Sequence, residues 1–281
     1  MILAKTINEM RNVIKQWKRE GLQIGLVPTM GYLHEGHSSL IKRASDENDR
    51  VVVSIFVNPI QFGQGEDFER YPRDMDHDMA VCRDAGADAI FHPDIFEMYA
   101  DDFCTYVDMT GLTDTLCGRS RPGHFRGVCT VVNKLFNIVN PDKAYFGQKD
   151  AQQLAVIKRM VRDLNIDVEI VGCPTVREPD GLAKSSRNAY LNEQERRAAL
   201  VLYRSLLLAK DLLDQGERNA EAIIEAMTDH IRKEPLAKID YVEIVGAVSL
   251  QKVNRIAEDI LIAIAVFIGK TRLIDNLFYE I

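Results

Sequence analysis

Residues 22–44 read LQIGLVPTMGYLHEGHSSLIKRA, and this pattern predicts a strand, then a loop, then the start of a helix. The apolar segment 24–27 is followed by Pro28, and His34 and His37 lie where the helix is predicted to begin. The start of a helix presents unpaired N–H groups and the positive end of the helix dipole. The loop is also rich in small residues that allow close backbone approach. It is therefore a candidate phosphate-binding site.

The spacing of the two histidines leaves several interpretations open. The residues could be ordinary surface groups, ligands of a partial metal site, or donors to an anion. The zinc-protease motif places histidines at i and i+4, whereas His34 and His37 are three residues apart and no Cys or His cluster supplies further ligands. The pattern disfavours zinc, and by itself it does not decide between anion binding and no function.

The composition is that of a folded protein with a sizeable core. The 281 residues are 46% hydrophobic, which suits one large domain or a domain with a smaller companion. The net charge of −7 argues against a general nucleic-acid binder or membrane-surface binder, because both usually carry an excess of basic residues. Any basic functional site in this acidic protein would therefore be a local concentration of basic residues.

Cysteine usage and hydropathy predict a cytoplasmic protein. The five cysteines are scattered, odd in number and free of C-x-x-C, so we predict reduced thiols. Residues 1–20 mix acidic and basic groups and lack the apolar core of a signal peptide. The longest apolar run, 260–268, is shorter than the roughly 18 residues of a membrane helix, and we predict a buried strand there.

We call residues 29–37, which contain His34 and His37, the histidine loop. The segments on either side of it predict a βαβ unit. Thr6 and Glu9 form a capping-box sequence ahead of an amphipathic helix. The β-branched run 51–57 predicts a strand that is buried on both faces of a parallel sheet. Asn58 and Gln61 follow that strand, so we expect them at the same sheet edge as the histidines. The alternative is an ordinary Asn-Pro turn.

The remaining pattern predicts an α/β part and a smaller α+β part. Further strands are predicted at 89–91, 143–146, 168–171, 239–245 and 260–268. Further helices are predicted at 38–46, 74–85, 128–139, 193–214 and 219–233, and another has Gln153 in its first turn. Residues 118–127 resemble a solvated cationic loop in which Arg126 could reach an anion. We place the domains at 1–178 and 179–281 and expect the second to close over the site.

Polar and basic side chains follow the ends of four predicted strands. They are His34 with His37, Asn58 with Gln61, Lys149 with Asp150 and Gln153, and the segment 184–187. In an otherwise acidic protein, this convergent set suits a polyphosphate. The alternative for Lys149 and Asp150 is a local ion pair at a helix start. No P-loop sequence and no G-x-G-x-x-G fingerprint follows the first strand, so a nucleotide would be held in another way.

Five motifs together resemble the pantothenate synthetase (pantoate–β-alanine ligase) family. They are PTMG at 28–31 with HEGH at 34–37, FVNPIQF at 56–62, RPGHFRG at 121–127, FGQKD at 146–150 and KSSRN at 184–188. The resemblance covers essentially the whole chain, in the order of the family. The departures are Gln148, where the family often has Glu, and Tyr32, where it often has Asn or another polar residue.

The resemblance implies an α/β fold, with a Rossmann-like nucleotidyltransferase domain and a smaller α+β C-terminal domain. The first domain would be a parallel sheet with helices on both faces, and the protein would be a cytoplasmic homodimer. The implied reaction is the ATP-dependent condensation of pantoate with β-alanine through a pantoyl adenylate, releasing AMP and pyrophosphate. The expected partners are these small molecules, with no nucleic acid and no membrane.

The family's site residues are transferred position by position. His37 is the usual proton donor, and our candidates for cationic groups that would offset phosphate charge are His34, His37, Lys149 and Arg187. Gln61 and Gln153 would hold pantoate, and Gln61 would also face β-alanine. The implied ATP contacts are Met30, Gly31, Tyr32, Leu33, His34, Glu35, Gly36, His37, Gly147, Gln148, Lys149, Asp150, Val176, Lys184, Ser185, Ser186 and Arg187.

The chemistry also implies a metal ion, because one anion attacks another. Mg²⁺ is expected mainly on phosphate oxygens, with Asp150 as a candidate protein ligand and the other ligands undetermined. Two alternatives to the ligase function remain open. One is another adenylyl-transferring enzyme of the same fold that acts on a different acid, and the other is a non-catalytic ATP-binding regulator.

Overall fold

The computed structural model describes residues 1–281, and the chain divides into two compact units. The first unit comprises Met1–Met109, Arg121–Gln148 and Gln153–Pro174. The second unit comprises Thr110–Ser120, Lys149–Gln152 and Thr175–Ile281. The two units therefore alternate along the chain. The domains expected at 1–178 and 179–281, and the closure of the second over the site, stay predictions.

The first unit is built on a six-stranded parallel sheet, which confirms the expected α/β class. The strands are β1 (Ile2–Ala4), β2 (Ile24–Thr29), β3 (Arg50–Ile55), β4 (Ala89–Phe91), β5 (Lys143–Gly147) and β6 (Glu169–Cys173). They lie in the order β1-β4-β3-β2-β5-β6, and every neighbouring pair is parallel. The central strands are rich in Val, Ile and Leu and almost fully buried, as in sheets that are covered on both faces.

Helices cover both faces of this sheet, and the other helices of the chain belong to the second unit. In chain order they are α1 (Ile7–Arg19), α2 (Glu35–Glu47), α3 (Met75–Asp84), α4 (Ile95–Met98), α5 (Leu116–Ser120), α6 (His124–Val139), α7 (Ala151–Asp163), α8 (Glu193–Ala198), α9 (Leu200–Asp214) and α10 (Ala220–Arg232). The connections β2–α2–β3 and β3–α3–β4 both move across the sheet in the same direction. Because such crossovers are right-handed, α2 and α3 lie on the same face. The connections that lead into β2, β5 and β6 move across the sheet in the opposite direction, so α1, α6 and α7 lie on the opposite face. No helix is long and apolar enough to cross a membrane.

The core beneath α2 and α3 anchors the histidine loop. Val51, Val53 and Ile55 point from β3 into this core, where they meet apolar residues of both helices. Leu33 belongs to the same cluster and is only 3% exposed. The loop that carries His34 is therefore fixed at its preceding residue by apolar burial.

The second unit contains a three-stranded antiparallel sheet. Its strands are β7 (Ala237–Gly246), β8 (Ile260–Ile268) and β9 (Thr271–Tyr279), in that order. Helices α9 and α10 pack on the sheet and bury one continuous apolar cluster against it. The buried strand predicted at 260–268 is confirmed with those bounds.

Three strands and one helix boundary differ from the sequence prediction. Strands β1 and β9 were not predicted, because neither contains a long apolar run. Strand β1 has only three residues, and β9 is interrupted by charged and amide side chains. Strand β2, predicted from the apolar segment 24–27, continues through Pro28 to Thr29. Helix α2 begins at Glu35 rather than near 38, because the side chain of His34 serves as the N-cap.

Two predicted segments are reorganised in the structure. The helix predicted at 193–214 is two helices, α8 and α9, with Ala199 between them. The cationic loop predicted at 118–127 is mostly helical, because α5 extends to Ser120 and α6 begins at His124. The prediction failed there because the glycines of this stretch resemble breakers, whereas Gly127 lies inside α6.

Candidate active site

The first unit has a topological switch point at the carboxyl ends of β2 and β5. The chain leaves β2 towards β3 and leaves β5 towards β6, in opposite directions across the sheet. Pairing between β2 and β5 is limited to Gly25 with Lys143 and Leu26 with Ala144, whereas β2 pairs with β3 as far as Thr29. In open α/β sheets, ligands bind in the crevice at such a point. The histidine loop begins there.

The loop after β2 is shaped by two residues in the left-handed region. Gly31 has a φ of 84° and Tyr32 a φ of 51°. The hydroxyl of Thr29 starts the turn by donating to Ser54 O at 2.7 Å and accepting from Gly31 N at 3.2 Å. A Cβ on residue 31 would lie 2.9 Å from Asp78 Oδ2, so the loop passes close to α3. Glycine is needed at this position.

Asp78 fixes this loop from the first turn of α3. Its carboxylate accepts from Tyr32 N at 2.9 Å and from Leu33 N at 2.7 Å, and the adjacent His77 ring bonds Leu33 O at 2.8 Å. Burial raises the pKa of Asp78 even though two N–H groups stabilise its charged form. Asp78 could not be recognised as a site residue from the sequence, because an acidic residue in a first helical turn is already explained by the helix dipole.

The buried Asp78 carboxyl predicts a pH dependence of stability. Because its pKa in the folded protein is raised above the usual 3.8, the folded state holds this proton more tightly than the unfolded chain does. We expect the free energy of unfolding of the wild type, relative to Asp78→Asn, to decrease as the pH rises from 3.8 through the raised pKa. Denaturant titrations of both proteins across this range measure the difference. A difference that grows with pH would contradict the prediction.

Tyr32 carries a second stability prediction. A non-glycine residue in the left-handed region is strained by about 1–2 kcal/mol, and Asn tolerates this region better than most. Tyr32→Asn is expected to raise the free energy of unfolding by about 0.5–1 kcal/mol, which is about 1–4 °C in Tm. Calorimetry with Tyr32→Ala as the matched control separates backbone relief from loss of the ring. A Tm for the Asn variant that is not above that of the Ala variant would refute the explanation.

The two histidines form a reciprocal cap at the start of α2. His34 Nδ1 accepts from Gly36 N at 3.1 Å, and His37 Nδ1 accepts from His34 N at 3.3 Å. The ring centroids are 4.1 Å apart with a tilt of 36°. A ring nitrogen that accepts a hydrogen bond carries no proton, so this network assigns the proton of each neutral imidazole to Nε2. The rings are therefore neutral N–H donors, not the cations expected from the sequence.

Gln61 is buried at the carboxyl edge of β3 and is held at both ends of its amide. Asn58 Nδ2 donates to Gln61 Oε1 at 2.9 Å, and Gln61 Nε2 lies 3.2 Å from Met30 Sδ. Asn58 is itself fixed, because its Oδ1 accepts from Tyr99 OH at 2.8 Å and its Nδ2 donates to Gly127 O at 3.1 Å. The structure therefore brings the histidine loop and Gln61 together through Met30.

Gly127 allows α6 to pack closely on the turn that carries Gln61. A Cβ on residue 127 would lie 2.5 Å from Ile60 O, 2.6 Å from Gln61 Cα and 2.7 Å from Gln61 N. All three atoms belong to the backbone, so none can move aside as a flexible side chain would. The close approach of this glycine was not predicted, because its partners are distant in sequence and it occurs inside a helix.

The other site residues expected in the first unit lie along β5 and α7. Gly147 ends β5, where it pairs with Cys173, and Gln148 follows it and is exposed. Gln153 lies in the first turn of α7 and is partly buried. Arg126, considered as an anion contact, instead stacks over the ring of Tyr106, with its guanidinium carbon 4.0 Å from the centroid.

The second unit contains the remaining basic residues expected in the site. Lys149 Nζ lies 3.7 Å from Asp150 Oδ2, so the local ion pair considered as an alternative is present. The backbone carbonyl of Lys149 accepts from Asn276 Nδ2 at 2.7 Å. The Lys149 side chain is only 19% exposed, so it is held near the protein surface rather than extended into solvent.

Residues 176–187 form a short hairpin and turn in the second unit. Lys184 N donates to Val176 O at 2.9 Å, and Arg177 pairs with Ala183 as an isolated bridge. The ammonium of Lys184 lies 2.7 Å from Glu178 Oε1. Ser185 caps the following turn by accepting from Arg187 N at 3.3 Å. The structure therefore brings Val176 and Lys184 together and places Arg187 in the first turn after them.

Comparison with known proteins identifies the family. A family model described as pantoate-beta-alanine ligase matches residues 2–278. The chain belongs to the pantoate–β-alanine ligase family. The pantothenate synthetase of Enterococcus faecalis is 63% identical over 281 residues, which is 100% of both chains. The membership confirms the resemblance drawn from the five motifs, while the roles of single residues stay predictions.

Solved structures of the same family agree with this fold. The crystal structure of pantothenate synthetase from Thermus thermophilus matches with a TM-score of 0.94 and 46% identity, covering 99% of each chain. The pantoate-beta-alanine ligase of Francisella tularensis, complexed with beta-gamma ATP and beta-alanine, matches with a TM-score of 0.81 and 37% identity. That match covers 99% of this chain and 97% of the other. The α/β nucleotidyltransferase-like architecture expected from the sequence is confirmed.

Proposed function

We propose that this protein condenses pantoate with β-alanine at the expense of ATP, through pantoyl adenylate, and releases AMP and pyrophosphate. The observation that carries the proposal is the arrangement of the histidine loop at the switch point. This loop holds the His34 and His37 donors, and its residue Met30 contacts the fixed amide of Gln61. Family membership supports it, as does the Francisella tularensis relative complexed with beta-gamma ATP and beta-alanine.

In the first step, a carboxylate oxygen of pantoate attacks the α-phosphorus of ATP. The bond between that phosphorus and the bridging oxygen breaks, and pyrophosphate leaves with the electron pair. Negative charge gathers on the leaving group, and preorganised donors aimed at such charge are among the largest contributions to catalysis. The Nε2–H groups of His34 and His37 are such donors, and we assign proton donation to His37.

The first step also needs fixed positive charge, since both reactants are anionic. We propose that Lys149 and Arg187 supply this charge to the phosphates, because the neutral histidines cannot. The proposed ATP contacts also include Met30 to His37, Gly147 to Asp150, the backbone of Val176, and Lys184 to Arg187. Phosphoryl transfer depends mainly on such positioning and electrostatic stabilisation, with little covalent chemistry from the protein.

In the second step, the amine of β-alanine attacks the carbonyl carbon of pantoyl adenylate. An amide bond forms, the amine loses a proton, and AMP leaves with the electrons of the acyl–phosphate bond. We propose that Gln61 and Gln153 hold the pantoyl group and that Gln61 also faces β-alanine. Amide side chains bind hydroxyl and carboxylate groups without adding charge, and exclusion of water would protect the adenylate from hydrolysis.

We propose that Mg²⁺ enters with ATP as part of the substrate complex. The structure has no group of three or more His, Cys, Asp or Glu side chains that could hold a metal ion. Mg²⁺ is commonly bound by one or two carboxylates together with substrate phosphates. The partly exposed carboxylate of Asp150, next to Lys149, fits that donor set. When bound, the ion would offset phosphate charge.

We further propose a cytoplasmic homodimer. All five cysteines are free thiols and four of them are buried, which suits a reducing compartment. Light scattering of the purified protein at several concentrations measures the oligomeric state, and a monomer throughout would remove the dimer from the proposal.

The function is tested by measuring AMP and pyrophosphate release with ATP, Mg²⁺, pantoate and β-alanine, omitting each in turn. We expect AMP release to require both the acid and the amine. We also expect exchange of labelled pyrophosphate into ATP to require pantoate but not β-alanine. ATP binding without turnover would indicate a regulator. Exchange with another acid but not with pantoate would keep the adenylation chemistry and remove the substrate assignment.

A further inference from the structure

Strand β9 places a buried acid and an amide beside the basic residues of the second unit. Asp275 is 3% exposed and pairs with Ile264 of β8, and Asn276 pairs with Ala263. Both residues therefore lie on an edge strand whose backbone is paired along its length with the central strand β8. Neither residue takes part in the proposed reaction steps.

Asn276 holds the backbone at Lys149. Its Nδ2 donates to Lys149 O at 2.7 Å, across 127 positions of sequence. Its own N–H donates to Asp275 Oδ1 at 2.8 Å, which links the two neighbours. Lys149 lies in a single 3-10 turn between β5 and α7, a local structure that does little to fix its own backbone. The bond from Asn276 therefore sets the point from which the Lys149 side chain extends.

Asp275 holds the hairpin that contains Val176 and Lys184. Its carboxylate binds Arg177 in a two-point geometry, with distances of 2.6 and 2.9 Å to the two terminal nitrogens. The same guanidinium donates to Gly181 O at 3.1 Å and stacks over Tyr203, with its central carbon 4.5 Å from the ring centroid. A planar guanidinium with several fixed partners orients the backbone around it.

We propose that Asn276 and Asp275 are positioning residues for ATP, acting through Lys149 and Arg177 respectively. This inference rests on the proposed function, because it concerns the segments assigned there to ATP. One rigid strand sets both segments, so Lys149 and the hairpin keep a fixed spacing before ATP binds. Preorganisation of this kind improves binding because less conformational entropy is lost. Neither residue needs to touch the nucleotide.

Asn276→Ala tests the proposal by separating ATP binding from other effects. We expect KM for ATP to rise about tenfold, because the loss of one hydrogen bond weakens affinity by about this factor. KM for β-alanine should change less than about twofold, because β-alanine is assigned to Gln61 in the first unit. KM for ATP is measured by pantoate-dependent pyrophosphate exchange, and KM for β-alanine is measured in the full reaction. Asn276→Ser, which is too short to reach the carbonyl, should behave in the same way if the Ala variant folds poorly.

Asn219→Ala is the matched control for a purely structural role. Asn219 also lies in the second unit and also bonds backbone, because it caps α10 by accepting from Glu221 N at 3.0 Å. Its loss should lower Tm while leaving both KM values unchanged. The proposal is overturned if Asn276→Ala keeps the wild-type KM for ATP, whether or not its Tm falls as that of the control does. An inactive wild type would overturn the proposed function and this inference with it, which is a distinct result.

Discussion

The His37→Ala variant is expected to form pantoyl adenylate about 10²–10³-fold more slowly than the wild type, the usual effect of removing one donor from developing charge. His37 Nδ1 is already occupied by His34 N, at 3.3 Å, so the Nε2–H is directed by the backbone rather than by a flexible partner. The loss should appear in kcat, because the charge that this donor stabilises develops only in the transition state. Pantoate-dependent pyrophosphate exchange measures this step alone.

Two variants make the His37 result specific. His37→Gln places an amide N–H near the former Nε2 position and should recover part of the rate. His230→Ala removes a half-buried histidine from α10 and should leave the exchange rate unchanged. If His37→Ala exchanges pyrophosphate as fast as the wild type, the proton on Nε2 plays no part in adenylate formation.

The Gly127→Ala variant is expected to lose both stability and substrate binding. Its Cβ would overlap the backbone of Ile60 and Gln61, with separations of 2.5–2.7 Å. Overpacking of this kind usually lowers the free energy of unfolding by about 1–3 kcal/mol, which is about 2–4 °C in Tm for each kcal/mol. The same displacement breaks the bonds of Asn58 to Gly127 O and to Gln61 Oε1. We expect KM for pantoate to rise at least about tenfold, the equivalent of one hydrogen bond.

Gly63→Ala is the matched control for Gly127. It lies two residues after Gln61, and the nearest atom to its added Cβ is 3.8 Å away on the flexible side chain of Glu66. Its Tm and KM values should stay close to those of the wild type. Calorimetry and initial-rate kinetics compare the two variants. Equal behaviour of both would show that α6 adjusts to the extra methyl group, and the close approach would have no importance for Gln61.

The parts of the site that follow from local sequence could be predicted. The βαβ pattern with its β-branched second strand placed His34 and Gln61 at one sheet edge, because parallel strands end on the same side. Five motifs in one order then identified the family. These features depend on neighbouring residues or on a fixed topological rule, and the sequence contains both.

The parts that depend on distant partners could not be predicted. Asp78 binds a loop 46 residues earlier, and Asn276 binds a carbonyl 127 residues earlier. Each has an ordinary local explanation, Asp78 as a first-turn acid and Asn276 as a polar residue on an edge strand. The histidine protonation is a further example, because its assignment to Nε2 needs two backbone N–H positions that only the folded loop defines.

The alternation of the two units along the chain has a consequence for how the protein is made. Ser120 bonds Asp240 and Arg119 bonds Glu243, partners that lie 120 and 124 residues later. At a synthesis rate of about 5–20 residues per second, residues 110–120 wait about 6–25 s for these partners. Residues 149–152 wait for Asn276 in the same way. The second unit therefore forms only after nearly the whole chain has left the ribosome, and a fragment that starts at residue 175 would lack two of its pieces.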